Sequence, residues 1–124
     1  MPVYKTRTFA RWMKREGLVD QDLRDAIMEM QTGLVDARLG GGLVKKRVAR
    51  PGQGKRGGYR VLLTSNFGER WVFMFGFAKN ERGNIDDEEL RLMKRIASTF
   101  LGMNEAVLRG ALTAGELMEI KYGQ

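Results

Sequence analysis

Arg70 to Ala78 reads RWVFMFGFA, apolar at almost every position, and it runs straight into the polar stretch Lys79-Asn80-Glu81-Arg82-Gly83-Asn84. Alternation along a strand puts Trp71, Phe73, Phe75 and Phe77 on one face and Val72, Met74, Gly76 and Ala78 on the other. A strand that is apolar on both faces must be buried on both, so this segment predicts the centre of a sheet. The rest of the chain has to supply its neighbours and its cover.

Helical periodicity provides the cover. Phe9, Trp12 and Met13 recur at i, i+3, i+4 spacing within a helix expected from Thr8 to about Glu16, with Gly17 placed to end it. A second helix is expected from Gln21 to Thr32, with Asp20 as its N-cap, an apolar stripe of Leu23, Ala26, Ile27 and Met30, and Gly33 beyond its end. The glycines Gly40 to Gly42 break any helix, and strands are expected at Leu43 to Ala49 and Tyr59 to Phe67, joined by a loop over residues 50–57. In the first of these, period two sets Lys45 and Arg47 opposite Val44, Lys46 and Val48; a lysine among valines suggests an edge or a strand end. In the second, Arg60, Leu62 and Thr64 share a face. Asn66 to Glu69 reads as a hairpin turn leading into the central strand.

After that strand, Asp86 and Glu89 form an Asp-x-x-Glu capping box, with Ile85 poised to staple onto Leu90. The helix it opens runs to about Leu101, a shorter one follows over Asn104 to Ala114, and Glu116 to Tyr122 has strand character. Residues 2 to 5 are compatible with a short strand or a frayed end. The order predicts one α+β domain over residues 1–124: a small, mostly antiparallel sheet with two N-terminal helices and C-terminal helices.

Charge is distributed very unevenly over this frame. Ala37 to Gly68 holds eight Lys or Arg residues and no Asp or Glu, although the whole chain carries only +7. Outside that window the protein is therefore almost neutral. A field so concentrated favours a polyanion, and nucleic acid is the commonest one in a cell.

Composition removes other chemistries. The chain contains neither Cys nor His, which excludes disulfides, thiolate nucleophiles, Cys- or His-ligated metals and imidazole acid–base catalysis. The absence of a long apolar run or a signal-like N-terminus predicts a cytoplasmic protein without membrane association. The four carboxylates at Asp86 to Glu89 point in different directions on a helix, so they read as capping groups rather than as a metal site.

Three strings carry a family resemblance: Gly-Gly-Leu-x-Lys-x-Arg-Val-Ala at 41–49, Gly-x-Gly-Lys-x-Gly-Gly-x-Arg at 52–60, and Phe-x-Lys-Asn-Glu at 77–81. With the flanking elements over about residues 6–101, the chain resembles the RelE/HigB superfamily of bacterial type II toxin–antitoxin toxins. The resemblance implies a RelE-like fold and an endoribonuclease that cuts mRNA in the ribosomal A site and so inhibits translation. It also implies a cognate antitoxin, of the helix-turn-helix type, as partner alongside the ribosome and mRNA. No cofactor is implied, and the cleavage is expected to be metal-independent. Lys45 and Arg47 match the paired basic residues of the family's strand, Arg60 the basic residue after the glycine-aromatic step, and Lys79 the cation at the strand exit. Some relatives carry a tyrosine a few residues beyond that exit. Here Ile85 and Asp86 occupy the region, which fits the tyrosine-free, HigB-like branch.

Attack of a 2′-hydroxyl on the adjacent phosphate needs alignment, charge neutralisation and proton transfer. Arg47, Arg60, Lys45 and Lys79 meet the first two needs. Crowding by like charges makes a neutral amine more accessible, which nominates Lys45 as the base, then Lys79, with Glu81 as the only carboxylate in the matching strings. The remaining cations Lys46, Arg50, Lys55 and Arg56 are expected to grip the RNA backbone. The competing reading is a non-catalytic RNA- or DNA-binding protein that uses the same cations, with Tyr59 and Trp71 as stacking platforms.

Overall fold

The computed structural model describes residues 2–50, 54–66, 70–79, 81 and 84–120, with residues 50 and 54–57 described in their backbone. Ten elements follow one another along the chain: β1 (Val3–Thr6), α1 (Arg7–Glu16), α2 (Asp20–Gln31), β2 (Ala37–Gly40), β3 (Leu43–Arg50), β4 (Gly54–Ser65), β5 (Trp71–Ala78), α3 (Asp87–Gly102), α4 (Glu105–Thr113) and β6 (Leu117–Glu119). The strands form one sheet in the order β2-β3-β4-β5-β1-β6, antiparallel except where β1 runs parallel to β5. The expected α+β architecture is the one found. RWVFMFGFA lies inside the sheet between β4 and β1, as its two apolar faces demand.

Helices cover both faces. On one, Phe9, Met13, Leu23, Ile27 and Met30 of the α1–α2 hairpin pack on Val44, Tyr59, Val61, Trp71 and Phe73. On the other, Ala97 of α3 and Leu108 and Ala111 of α4 pack on Leu43, Leu62, Val72 and Met74, with Leu90, Met93, Ile96 and Phe100 half-buried beside them. The capping box closes as expected: the Glu89 amide donates to Asp86 Oδ1 at 2.8 Å and the Asp86 amide to Glu89 Oε1 at 3.2 Å. Ile85 and Leu90 both join the second cluster.

Four expectations are corrected. The cap of α2 is Val19, whose amide donates to Asp22 Oδ2 at 2.8 Å, while Asp20 lies in the helix and takes the Lys5 ammonium at 2.6 Å. The three glycines do not merely interrupt a helix. Gly41 and Gly42, at φ 64° and 82°, are the two central residues of a tight hairpin that pairs the unforeseen β2 with β3. Both positions need positive φ in such a turn, which only glycine adopts freely. The expected loop ends early, because β4 begins at Gly54, paired with Arg50. The hairpin turn over Asn66 to Glu69 falls largely outside the described residues.

The fourth correction lies in β5. In the pairing of β4 with β5, Leu62 lies opposite Phe75 and Leu63 opposite Phe73, so Met74 is an extra residue in β5. A bulge of this kind inverts the alternation beyond it. Trp71 and Phe73 share a face, which lies under the α1–α2 hairpin, but Phe75 and Phe77 do not continue their row. Phe75 packs with the α3 cluster, its ring 6.2 Å from that of Phe77, while Gly76 turns toward Trp12 and Ala78 joins the first cluster.

Candidate functional site

Strand register gathers the cations that lie far apart along the chain. Lys45 of β3 stands opposite Leu62 of β4, Arg47 opposite Arg60, and Arg60 in turn opposite Phe77 of β5. Directly opposed residues share a face, with about 5 Å between their Cα atoms. Lys45, Arg47 and Arg60 thus occupy the Leu62 face, which α3 partly covers. Lys79 is exposed at the exit of β5, where its amide donates to Gly58 O at 3.1 Å, two residues before Arg60. The bulge at Met74 brings Phe77 to this face, beside Arg60.

Arg60 is the unusual member. It is only 5 % exposed, yet among the described residues its guanidinium makes one hydrogen bond, from Nη1 to the neighbouring Tyr59 carbonyl at 3.3 Å. A guanidinium carries five N–H donors, so among the described residues most of this group's capacity is left for solvent or a ligand. Burial lowers the Arg60 pKa, the Arg47 guanidinium lowers it further, and Asp36 acts in the opposite direction. Like charges directly opposed across two strands are destabilising. An anion placed between Arg47 and Arg60 relieves both the repulsion and the unmet donors, and a phosphate suits the geometry of two guanidinium forks.

Asp36, just ahead of β2, holds Arg47. One carboxylate oxygen accepts from the Arg47 backbone amide, and the other pairs with Nε at 3.4 Å. The β2 ladder has its last pair on this side at Ala37 and Lys45, so a side-chain oxygen supplies the acceptor that a longer strand would have given. The Arg47 side chain remains 51 % exposed. Asp36 is not among the residues expected from the sequence, and its one signal there is its place as the last acid before the acid-free window from Ala37 to Gly68.

Lys46 is set apart from the other cations. It is 3 % exposed, faces the α1–α2 hairpin, and its ammonium meets Glu29 Oε1 of α2 at 2.7 Å. The sheet does not end at β3, so the lysine reaches a carboxylate under the helix instead of snorkelling to water. Glu29→Ala is expected to strand that buried ammonium and lower stability by about 2 kcal/mol. Adding Lys46→Met should recover most of the loss in urea unfolding; a double variant no more stable than Glu29→Ala alone would show that the ion pair is not the cause.

The other expected residues divide likewise. Glu81 lines a cleft of about 440 Å³ between α1 and β5, with Arg11, Arg15 and Trp12, rather than joining Lys45, Arg47 and Arg60. The side chains of Arg50, Lys55 and Arg56 lie outside the described residues. Tyr59 and Trp71 are core residues of the first cluster, and the Tyr59 hydroxyl donates to Glu16 O at 3.1 Å, so neither is offered as a stacking platform. Among the described residues no helix is long and apolar enough to cross a membrane.

The family model for the RelE toxin of the RelE/RelB toxin–antitoxin system matches residues 1–120. This chain belongs to the RelE toxin family. A comparison with curated proteins found no match. A RelE toxin is one half of a toxin–antitoxin pair, so an antitoxin is its partner. In this RelE toxin the sheet presents Lys45, Arg47 and Arg60 on a single face and reserves Lys46 for the packing of α2.

Proposed function

We propose that this RelE toxin is a ribosome-dependent endoribonuclease that cleaves mRNA in the A site and thereby inhibits translation. One observation carries the reading: a buried guanidinium with unused donors, Arg60, stands directly across from a second guanidinium, Arg47. Two such groups match a phosphate whose negative charge rises as a 2′-hydroxyl attacks it, and charge-assisted bonds made there strengthen in the transition state. Lys45 takes the proton from the 2′-hydroxyl. The 2′-oxygen bonds to phosphorus, the bond to the 5′-oxygen breaks, and Lys79 as an ammonium supplies the proton that the departing oxygen needs. Arg50, Lys55 and Arg56 contribute grip on the RNA backbone. The ribosome supplies alignment, which suits a site with no histidine and a sparse acid–base inventory. The cognate antitoxin, of helix-turn-helix type, holds the toxin inactive.

The experiment is single-turnover cleavage of a defined mRNA on programmed ribosomes with toxin in excess. The expected result is cut mRNA with a 2′,3′-cyclic phosphate end, together with growth arrest when the chain is expressed without antitoxin. Ribosome or RNA binding with intact mRNA would instead favour the non-catalytic nucleic-acid-binding reading.

A further inference from the structure

We infer that Asp36 is a positioning residue for RNA cleavage: it clamps Arg47 at both its backbone amide and its Nε, and so aims the two remaining guanidinium nitrogens at the phosphate that Arg60 also holds. The inference rests on the proposed ribonuclease reading and adds a residue to it.

Across the ladder to β4, Arg47 meets no opposite charge. Its partner across the ladder is Arg60, a like charge, so on electrostatic grounds alone the Arg47 side chain should swing away into water. Half-exposed and long, it has rotamer freedom that an anion would have to remove on binding. Asp36 counters both effects with one carboxylate. Oδ2 takes the backbone amide, which fixes the carboxylate to the strand, and Oδ1 then pairs with Nε at 3.4 Å, which fixes the side chain to the carboxylate. Engaging Nε leaves Nη1 and Nη2 for a ligand. Asp36 also bears on Arg60, where its charge opposes that of Arg47. The acid therefore lowers the cost of holding two guanidinium groups together before any phosphate arrives. Such preorganisation raises the rate of a bound reaction more than it raises affinity.

The test is a double-mutant cycle in the programmed-ribosome assay, using Asp36→Ala, Arg47→Ala and the pair. Asp36→Ala is expected to lower the maximal single-turnover rate by about tenfold with half-saturation by ribosomes changed less than about twofold. In the Arg47→Ala background the same change should cost less than about twofold, because there is nothing left to aim. Asp36→Glu, which keeps the charge on a longer stem, should recover part of the rate. A purely structural role predicts equal losses in both backgrounds, and that result would overturn the inference. A second readout needs no RNA: in nitrogen-15 spectra of the free protein, the Arg47 Nε–H should exchange slowly in the wild type and rapidly in Asp36→Asn. Fast exchange in the wild type would also overturn it. A wild-type chain that cleaves nothing refutes the ribonuclease reading itself, whereas active wild type, impaired Arg47→Ala and unimpaired Asp36→Ala refute only the clamp.

Discussion

Arg60→Ala should lower the single-turnover rate of mRNA cleavage by about a hundredfold or more, the scale of losing one preorganised oxyanion contact. Affinity for the ribosome should change little, because many other cations share the backbone contacts. The size of the effect follows from where Arg60 sits. Its backbone is held between β3 and β5, the residue is 5 % exposed, and among the described residues most of its donors are uncommitted, so an arriving phosphate finds a partner already held in place. Arg60→Lys should restore only a small part of the rate, since an ammonium keeps the charge but cannot grip two oxygens in one plane. Arg60→Met, which keeps the apolar stem, should lose the rate while melting no lower than the wild type, because it removes a like-charge opposition and a costly buried cation. That pairing separates chemistry from folding. An Arg60→Met variant that melted well below the wild type would mean that the residue serves the fold, and a full rate in Arg60→Ala would remove it from the site. Lys46→Met is the matched control: its side chain points into the other layer, so the rate should stay near that of the wild type.

Gly76→Ala should destabilise the protein by about 3 kcal/mol and lower the melting temperature by roughly 10 °C. A methyl group at residue 76 would stand within 2.6 Å of the Trp12 indole, far inside contact distance. The indole cannot yield freely. It meets the Tyr59 ring edge-on with centroids 5.2 Å apart and the Phe9 ring at 5.3 Å, and Phe9 in turn packs on Phe73 at 5.5 Å. Displacing Trp12 therefore disturbs an aromatic chain that joins α1 to the sheet. Trp12→Leu in the Gly76→Ala background should regain part of the loss, because the smaller side chain leaves room for the methyl group. Calorimetry decides: an unchanged melting temperature in Gly76→Ala would show that the indole pivots aside without cost.

Much of this RelE toxin is legible in its sequence. The central strand announces itself by being apolar on both faces, the helices by three- and four-residue spacing, and the start of α3 by Asp86 and Glu89. The concentration of charge between Ala37 and Gly68 and the absence of His and Cys narrow the chemistry before any fold is known. Arg60, Leu62 and Thr64 sharing a face also follows from simple alternation. All of these signals are carried by residues within a few positions of one another, where the governing interaction, a cap, a helical turn or a pleat, is itself local.

What tertiary structure alone decided is which cation meets which partner. Lys45, Lys46 and Arg47 are consecutive and chemically alike, yet Lys46 is buried against Glu29 while its two neighbours share the face of Arg60. Alternation separates them, but only the helix packed above β3 makes one side an ion pair, while the other side sets Arg47 across from Arg60. The extra residue at Met74 sends Phe77 to Arg60 and Gly76 to Trp12, against the row that RWVFMFGFA spells out. Asp36 reaches Arg47 only because β2 stops short and leaves an amide without a strand acceptor. Each of these outcomes depends on register between segments distant in sequence, where one added residue inverts a face. The sequence alone therefore determines the charge and most of the elements, and the pairing of strands decides which side chains meet.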